Sequence, residues 1–405
     1  MSFCSVKFLI PSFVCLLFLS GFSLTSCELD VLHQWNFLSY ELPYDYPVNG
    51  GYVPENNVFT GMEVGWSRIF LAIPRLRVGV PATLVSIPRT RGGELSSPVL
   101  KAYPNWEFHS SNGHGVNCSG LISVYRIRAD RCNRLWVLDS GVSTSLQDFT
   151  VVCPPKILVF DMSTDQLVKS ITFPREVLRP NTLLTNLVID DTSGYGSCDD
   201  SYIYMSDTAA PAIVVYDAKK DIAWRLTHPS MYPDPDFSTY TIAGETFTLP
   251  DGVVGLALSP PTHTASRVLY FQSMATDRMF AIPVSVLQAG PSDDLPIQLV
   301  GRKSSQGVGL AVDPNDGSVY FSPFSETAVA SWQPGTNRNK VLAYNPDVLQ
   351  FATELIIAYR DNGNLWLLTT RFQKFFRRTV NAREINLRIV RINLTVPLTN
   401  LLLFK

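Results

Sequence analysis

The chain has 405 residues, a formal net charge of −2, and charged side chains at 17% of its positions. This balance provides neither the basic stripe that binds nucleic acid nor an acidic tail, and it argues against a nucleic-acid partner. The 28 prolines, 24 glycines and 11% aromatic residues are typical of many short strands joined by tight turns.

The N-terminal segment, residues 1–27, has the pattern of a secretory signal peptide. Lys7 precedes the apolar run FLIPSFVCLLFLSGFSL, which ends in the small residues of TSC. Two alternatives stay open: a membrane anchor, and a lipid on Cys27 within the lipobox-like LTSC. We expect a secreted, extracellular protein in which residues 28–405 form a single domain. No membrane span is expected after the signal, because the C-terminal VPLTNLLLFK is only half a span long.

Cysteines and sequons fit an oxidising compartment. Removal of the signal segment leaves an even set of cysteines, namely Cys118, Cys132, Cys153 and Cys198. An even number in a secreted chain predicts disulfides. Asn117 and Asn393 each begin an N-x-S/T sequon and are predicted glycosylation sites.

A hairpin pattern recurs along the chain, each time pairing an aliphatic residue with an aromatic one. Its copies are SRIFLAIPR (67–75), NRLWVLDSG (133–141), SYIYMSDTA (201–209), RVLYFQSMA (267–275), GSVYFSPFS (317–325) and GNLWLLTTR (363–371). Six such units without helical periodicity predict an all-β fold, a six-bladed β-propeller. The segment at 30–42 has no other partner, and we expect it to close the ring as the fourth strand of the last blade. A sandwich with a second domain is the alternative.

The predicted topology pairs the cysteines. Cys132 and Cys198 fall in the turn between the first and second strands of adjacent blades. Cys118 precedes the first strand of blade two, and Cys153 precedes its third strand, so both lie on the opposite face. A Cys118–Cys132 bridge would have to span a whole strand, well beyond the ~4.4–6.8 Å Cα separation of a disulfide. We therefore predict Cys118–Cys153 and Cys132–Cys198.

Several stretches, in order, resemble the insect Yellow/major royal jelly protein family. They are FLAIPRLRVGVPATLVSIP, SPVLKAYPNW, CSGLISVYRIRADRCNRLWVLDSG, CPPKILVFDM, GSCDDSYIYMSD, WRLTHPSMYPDP and LPDGVVGLALSP, within a resemblance that runs from 35 to 392. The resemblance implies a secreted six-bladed propeller. It also implies one of several activities: melanin and pigment chemistry with conversion of dopachrome-type aminochromes, binding of biogenic amines, or nutrition.

The mouth of the ring is the predicted ligand site, because residues just before the first strand and just after the second strand converge there. The resemblance implies that Thr353, Thr370 and Phe372 bind a small aromatic amine or aminochrome, with Thr370 standing where amine binders carry asparagine. Asp139 and Asp207 are predicted carboxylate partners for a ligand ammonium. The alternative for this set is structural, with these side chains capping strand ends and bonding turn amides.

Catalytic patterns are sparse. A tautomerase acting on an aminochrome needs an acid–base group that titrates near neutral pH, and His109 and His114 in the loop that enters blade two are the candidates. The alternative is that both are solvated loop residues. No cofactor or metal is expected. The competing classes are a calcium-dependent lactonase built on Asn186, Asp251 and Glu354, and a structural or storage protein.

Overall fold

The computed structural model describes residues 29–46, 51–89, 96–109, 117–191, 197–261 and 267–394. Within these ranges the chain forms six four-stranded antiparallel sheets. The innermost strands of neighbouring sheets contact one another all the way round the ring, which confirms the predicted six-bladed propeller.

The strands follow the chain order of the predicted hairpins. The first strand of the chain is β1 (Leu29–Trp35). Blade 1 contains β2 (Gly61–Val64), β3 (Arg68–Ala72), β4 (Leu84–Pro88) and β5 (Lys101–Ala102). Blade 2 contains β6 (Val124–Ala129), β7 (Arg134–Asp139), β10 (Lys156–Asp161) and β11 (Leu167–Thr172), with a small hairpin of β8 (Val142–Ser143) and β9 (Thr150–Val151) inserted after β7.

Blades 3 to 6 repeat the plan. Blade 3 contains β12 (Leu184–Asp191), β13 (Ser201–Asp207), β14 (Ala212–Asp217) and β15 (Ile222–Leu226), followed by a hairpin of β16 (Thr239–Ile242) and β17 (Glu245–Thr248). Blade 4 contains β18 (Val253–Leu258), β19 (Val268–Ser273), β20 (Arg278–Pro283) and β21 (Gln298–Arg302). Blade 5 contains β22 (Leu310–Val312), β23 (Val319–Phe321), β24 (Ala328–Gln333) and β25 (Arg338–Tyr344). Blade 6 contains β26 (Phe351–Ala358), β27 (Asn364–Thr370), β28 (Leu387–Ile392) and β1.

Helices are short in the described ranges. The α-helices are α1 (Val284–Gln288) and α2 (Phe372–Arg377). Single 3₁₀ turns occupy Pro54–Asn56, Trp106–His109, Pro229–Met231, Pro235–Phe237 and Tyr359–Asp361. No helix in the part of the chain that the structure describes is long and apolar enough to cross a membrane.

Ring closure by the N-terminal strand is confirmed. Strand β1 pairs antiparallel with β28, with Leu29 opposite Ile392 and Trp35 opposite Leu387. The N-terminal strand therefore pairs with a sheet edge that would otherwise be left with open backbone groups.

The aromatic residue that recurs in the hairpin pattern is a core residue, and in most blades it hydrogen-bonds to an aspartate near the preceding turn. All six are buried, and they are Phe70, Trp136, Tyr204, Tyr270, Tyr320 and Trp366. In four blades the polar tip of the ring donates to an aspartate near the preceding turn, as Trp136 Nε1 does to Asp130 at 2.9 Å and Trp366 Nε1 does to Asp361 at 2.8 Å. In these four blades the acidic turn supplies the acceptor that the buried N–H or O–H requires.

Both predicted disulfides are present. Cys118 and Cys153 have Cα atoms 5.6 Å apart, and Cys132 and Cys198 have Cα atoms 6.2 Å apart. The second bridge joins the turn after β6 to the turn after β12 and so links blades 2 and 3.

Removing the bridge between the blades is expected to destabilise the fold. The Cys132→Ser/Cys198→Ser double variant should lose about 2–4 kcal/mol in the free energy of unfolding, because the bridge closes a long loop in the unfolded chain. Urea unfolding measures the loss, and a non-reducing peptide map of the unaltered protein is the control. A map that shows Cys118 joined to Cys132 would contradict the topology.

Candidate functional site

The main axial cavity opens on the face that carries the Cys118–Cys153 bridge. We call it the upper cavity; its volume is about 260 Å³. Every blade contributes at least one residue from or next to its innermost strand, and these include Thr60, Tyr125, Thr185, Val254, Val308 and Thr353.

Backbone bulges place four of these side chains. The pairing register of the innermost strand shifts at Tyr125, Thr185, Val254 and Thr353, each of which is the extra residue that has no partner on the second strand. A bulge re-aims the side chain of its extra residue. The same local irregularity in blades 2, 3, 4 and 6 therefore supplies the cavity with its lining.

An aromatic wall forms one side of the upper cavity. Phe351 and Phe372 both line it, and their ring centroids lie 4.7 Å apart with an interplanar angle of 30°. Phe247 and Phe375 support Phe372 from behind, with centroids at 6.1 and 5.5 Å. The wall offers a flat apolar surface on which a planar ring can stack.

Three threonine hydroxyls that line the cavity donate their protons to backbone carbonyls. Thr60 Oγ1 donates to the carbonyl of Tyr125 at 2.8 Å, Thr208 Oγ1 to that of Val253 at 2.9 Å, and Thr353 Oγ1 to that of Phe59 at 3.2 Å. A hydroxyl has one proton, so each keeps only its lone pairs for a ligand. The polar wall therefore suits a ligand that donates N–H or O–H groups.

Asp251 brings a carboxylate to this acceptor-rich wall. It lines the upper cavity from the loop between β17 and β18, and burial raises its pKa to about 6. No hydrogen bond or ion pair reaches the carboxylate from any residue the structure describes. The next residue, Gly252, allows the loop to close on blade 3, because a Cβ there would lie 2.8 Å from the carbonyl oxygen of Thr208.

A buried ion cluster forms the floor. Arg126 lines the upper cavity and pairs with Glu354, and both side chains are almost fully buried. Glu354 also binds Arg128, whose Nη2 lies 3.0 Å from Oε1, and Arg128 lines a second axial cavity on the opposite side. The cluster thus separates the two cavities along the axis.

Two of the five predicted ligand residues, Thr353 and Phe372, line the upper cavity. Thr370 is buried on β27 and instead lines a small side pocket next to Asn386 and Leu387. Phe372 is also a packing residue, because it is buried within the phenylalanine cluster.

Asp139 and Asp207 accept hydrogen bonds from backbone amides near the ends of their strands. This is the structural role given above as the alternative to ligand binding. Asp139 accepts the amides of Ile122, Ser123 and Gly141 and pairs with the Lys156 ammonium at 2.6 Å. Neither aspartate lines the upper cavity.

Asp207 repeats this arrangement in blade 3. It accepts the amides of Leu183 and Ala210 and pairs with Arg225 at 2.8 Å. With all these donors in place, both carboxylates are committed to the turns at the ends of their strands, which corrects their predicted role as ligand partners.

His109 is buried away from the cavity. Its Nε2 lies 2.9 Å from the carbonyl of Tyr103, and its Nδ1 accepts the amide of Thr83 at 3.3 Å. Burial lowers its pKa to about 3, so the ring is neutral at physiological pH. This position corrects the acid–base role given to His109, and His114 lies outside the described residues.

The structure does not bring together the three residues that a calcium-dependent lactonase would use as metal ligands. Both oxygens of Glu354 bind arginines, and Asn186 donates its amide to the carbonyl of Val254 at 2.8 Å. Among the described residues no group of three His, Cys, Asp or Glu side chains is arranged to hold a metal ion.

Comparison with known proteins identifies relatives over nearly the whole chain. The profile of the family described as "Major royal jelly protein" matches residues 122–401. A dopaminechrome tautomerase of Drosophila melanogaster is 30% identical over 396 residues, covering 92% of this chain and 83% of the relative. Protein yellow of Drosophila yakuba is 30% identical over 93% of this chain and 70% of its own length. Major royal jelly protein 9 of Apis mellifera is 30% identical over 89% of this chain and 86% of its own length.

Proposed function

Since the chain belongs to the Yellow/major royal jelly protein family, we propose that it is an aminochrome tautomerase of pigment chemistry, with the upper cavity as its active site. The observation that carries the proposal is Asp251, a carboxylate without a protein partner among the described residues, whose pKa is raised to about 6 beside an aromatic wall. The dopaminechrome tautomerase relative supports the choice of substrate class.

The reaction needs a base and no external oxidant. In an aminochrome, an ortho-quinone ring is fused to a saturated five-membered ring that carries the nitrogen. Isomerisation to a dihydroxyindole breaks two C–H bonds of the five-membered ring and forms two O–H bonds at the quinone oxygens. The electron pairs of the broken C–H bonds pass into the ring system, so the quinone is reduced while the five-membered ring is oxidised.

The residues of the upper cavity can take distinct parts in this step. The substrate ring stacks on Phe351 and Phe372, and Thr353 accepts the substrate N–H. Asp251, ionised near neutral pH, takes a proton from the five-membered ring, and its protonated form can return a proton to oxygen. Its pKa near the working pH serves both transfers.

A second candidate function is binding of a biogenic amine without turnover. The acceptor-rich wall favours it, because the lone pairs of Thr60, Thr208 and Thr353 together with the Asp251 carboxylate suit a protonated amine. Saturable binding of dopamine with no conversion of dopaminechrome would select this function.

We further propose that the protein is secreted. The two disulfides fit an oxidising compartment. Signal removal after residue 27 and glycosylation at Asn117 and Asn393 stay predictions. Asn117 is exposed.

Purified protein tests the activity directly. Dopaminechrome should lose its visible absorbance faster with the protein than with a heat-treated sample, and chromatography should show 5,6-dihydroxyindole as the product. Absorbance loss equal to that of the heated sample would contradict the tautomerase.

The pH dependence of turnover should report Asp251. Because the base must be ionised, kcat/KM should be level above pH about 6 and fall about tenfold per pH unit below it. His109, with a pKa of about 3, does not titrate in this range. A rate profile from pH 4 to 8 checks the expectation, and a rate that rises as the pH falls through 6 would contradict it.

A further inference from the structure

The axis holds a second cavity on the face opposite the upper cavity, which we call the lower cavity. Its volume is about 200 Å³. Aliphatic side chains of the innermost strands form its walls, among them Val188, Leu256, Ala311 and Ile356. Tyr359 lines it and is 73% exposed. The lower cavity is therefore a recess whose walls combine aliphatic side chains with the charged side chains of Glu63, Arg128 and Arg360.

Arg360 lines the lower cavity with most of its donors free. Within the described residues its guanidinium makes one hydrogen bond, from Nη2 to Asn133 Oδ1 at 3.3 Å. Its Nη1 lies 3.9 Å from Glu63, beyond hydrogen-bond distance. The side chain also packs over Trp66, with 6.0 Å from Cζ to the ring centroid. An arginine has five N–H donors, so several remain for a ligand.

The turn that carries Arg360 is held in place by Arg89. Arg89 Nη1 donates to the carbonyl of Arg360 at 2.8 Å, and its Nη2 pairs with Asp361 at 2.6 Å. These contacts fix the backbone on which the free guanidinium sits. A preorganised cation loses less conformational freedom when a ligand binds.

This part of the axis carries arginine and carboxylate side chains. Three arginines, Arg126, Arg128 and Arg360, face two carboxylates, Glu63 and Glu354. Glu354 is committed to Arg126 and Arg128. Glu63, which also lines the lower cavity, accepts backbone amides at 2.8 and 3.0 Å, and burial raises its pKa. Arg360 is therefore the arginine of this set whose guanidinium has no carboxylate within hydrogen-bond distance among the described residues.

We propose that the lower cavity is a second ligand site, distinct from the tautomerase site, for a small molecule that carries a carboxylate. Arg360 binds the carboxylate through two parallel N–H···O bonds, the geometry for which a guanidinium is suited. The apolar body of the ligand packs against the aliphatic walls, with Tyr359 covering the entrance.

Titration calorimetry with benzoate and the full-length secreted protein tests the proposal. One benzoate should bind per chain, and neutral benzamide, which has the same shape, should bind at least about tenfold more weakly. Arg360→Gln should weaken benzoate binding at least about tenfold. It should leave dopaminechrome turnover unchanged, because Arg360 lies outside the upper cavity. Absence of benzoate binding, or equal affinity for the Arg360→Gln variant, would overturn the second site.

Asp251→Asn distinguishes the two cavities. Benzoate in the lower cavity should bind this variant as it binds the unaltered protein, within about twofold. Benzoate in the upper cavity would gain affinity when the carboxylate of Asp251 is removed, and that gain would overturn the assignment. If Arg360→Gln does not fold, Arg360→Lys replaces it. It keeps the charge but loses the two-pronged geometry, and it should bind benzoate several-fold more weakly.

Discussion

Replacing Asp251 with asparagine is expected to lower kcat for dopaminechrome at least about 100-fold, the lower end of the contribution made by a positioned base. The amide has nearly the shape of the carboxylate but cannot accept the proton of the five-membered ring. Binding should change much less, because Phe351, Phe372 and Thr353 stay in place. Initial rates across a range of substrate concentrations separate kcat from KM.

The melting temperature of Asp251→Asn shows whether its loss of turnover comes from the missing base or from unfolding. The pKa of Asp251 is raised to about 6 in the folded protein, so the folded state favours the protonated carboxyl. Ionisation therefore costs stability as the pH rises from the unfolded pKa of about 4 through 6, and that cost is fully present at pH 7. Asp251→Asn removes the cost and should melt at the same temperature or higher at pH 7. The exposed Asp236→Asn is the matched control, expected to change neither rate nor melting temperature. Full turnover by the Asp251→Asn variant would refute the base.

The propeller was predictable because its signal is repeated. Each blade needs a buried aromatic on its second strand, and most blades supply an acceptor at the preceding turn, so the pattern appears several times and errors in one copy do not matter. Trp136 with Asp130 and Trp366 with Asp361 illustrate the pair. The disulfides followed from the same topology, since the position of a cysteine relative to its strand decides the face on which it lies.

The position of the upper cavity could be predicted from the sequence, but the residues that line it could be predicted only in part. Sequence gives the order of residues along a strand, whereas a bulge decides which of them turns toward the axis. Thr353 is such an extra residue, and Thr370, opposite the start of the same strand, is not. Aspartates at strand ends also look alike in sequence. Asp207 is saturated by amides and an arginine, while Asp251 has neither, and only the packed structure distinguishes them.

Glu354 lies between the two axial cavities, and replacing it is expected to lower the free energy of unfolding. The side chain is buried and binds two arginines, Arg126 and Arg128. Glu354→Gln would leave both guanidinium groups without a counter-charge in the core of the ring. Removing one partner from a buried ion pair costs about 3–5 kcal/mol, because the remaining charge stays desolvated. Urea unfolding at pH 7 measures the free energy of unfolding.

A surface glutamate is the matched control for Glu354. Glu245 lies 3.8 and 3.9 Å from Arg377 and Lys374 and is partly exposed, so Glu245→Gln should change stability by about 0–1 kcal/mol. The Arg126→Met/Glu354→Leu double variant should lose less stability than Glu354→Gln alone, because it removes a buried charge together with its partner. A double variant that is less stable than Glu354→Gln would show that the ion pair stabilises the ring beyond what apolar packing can replace.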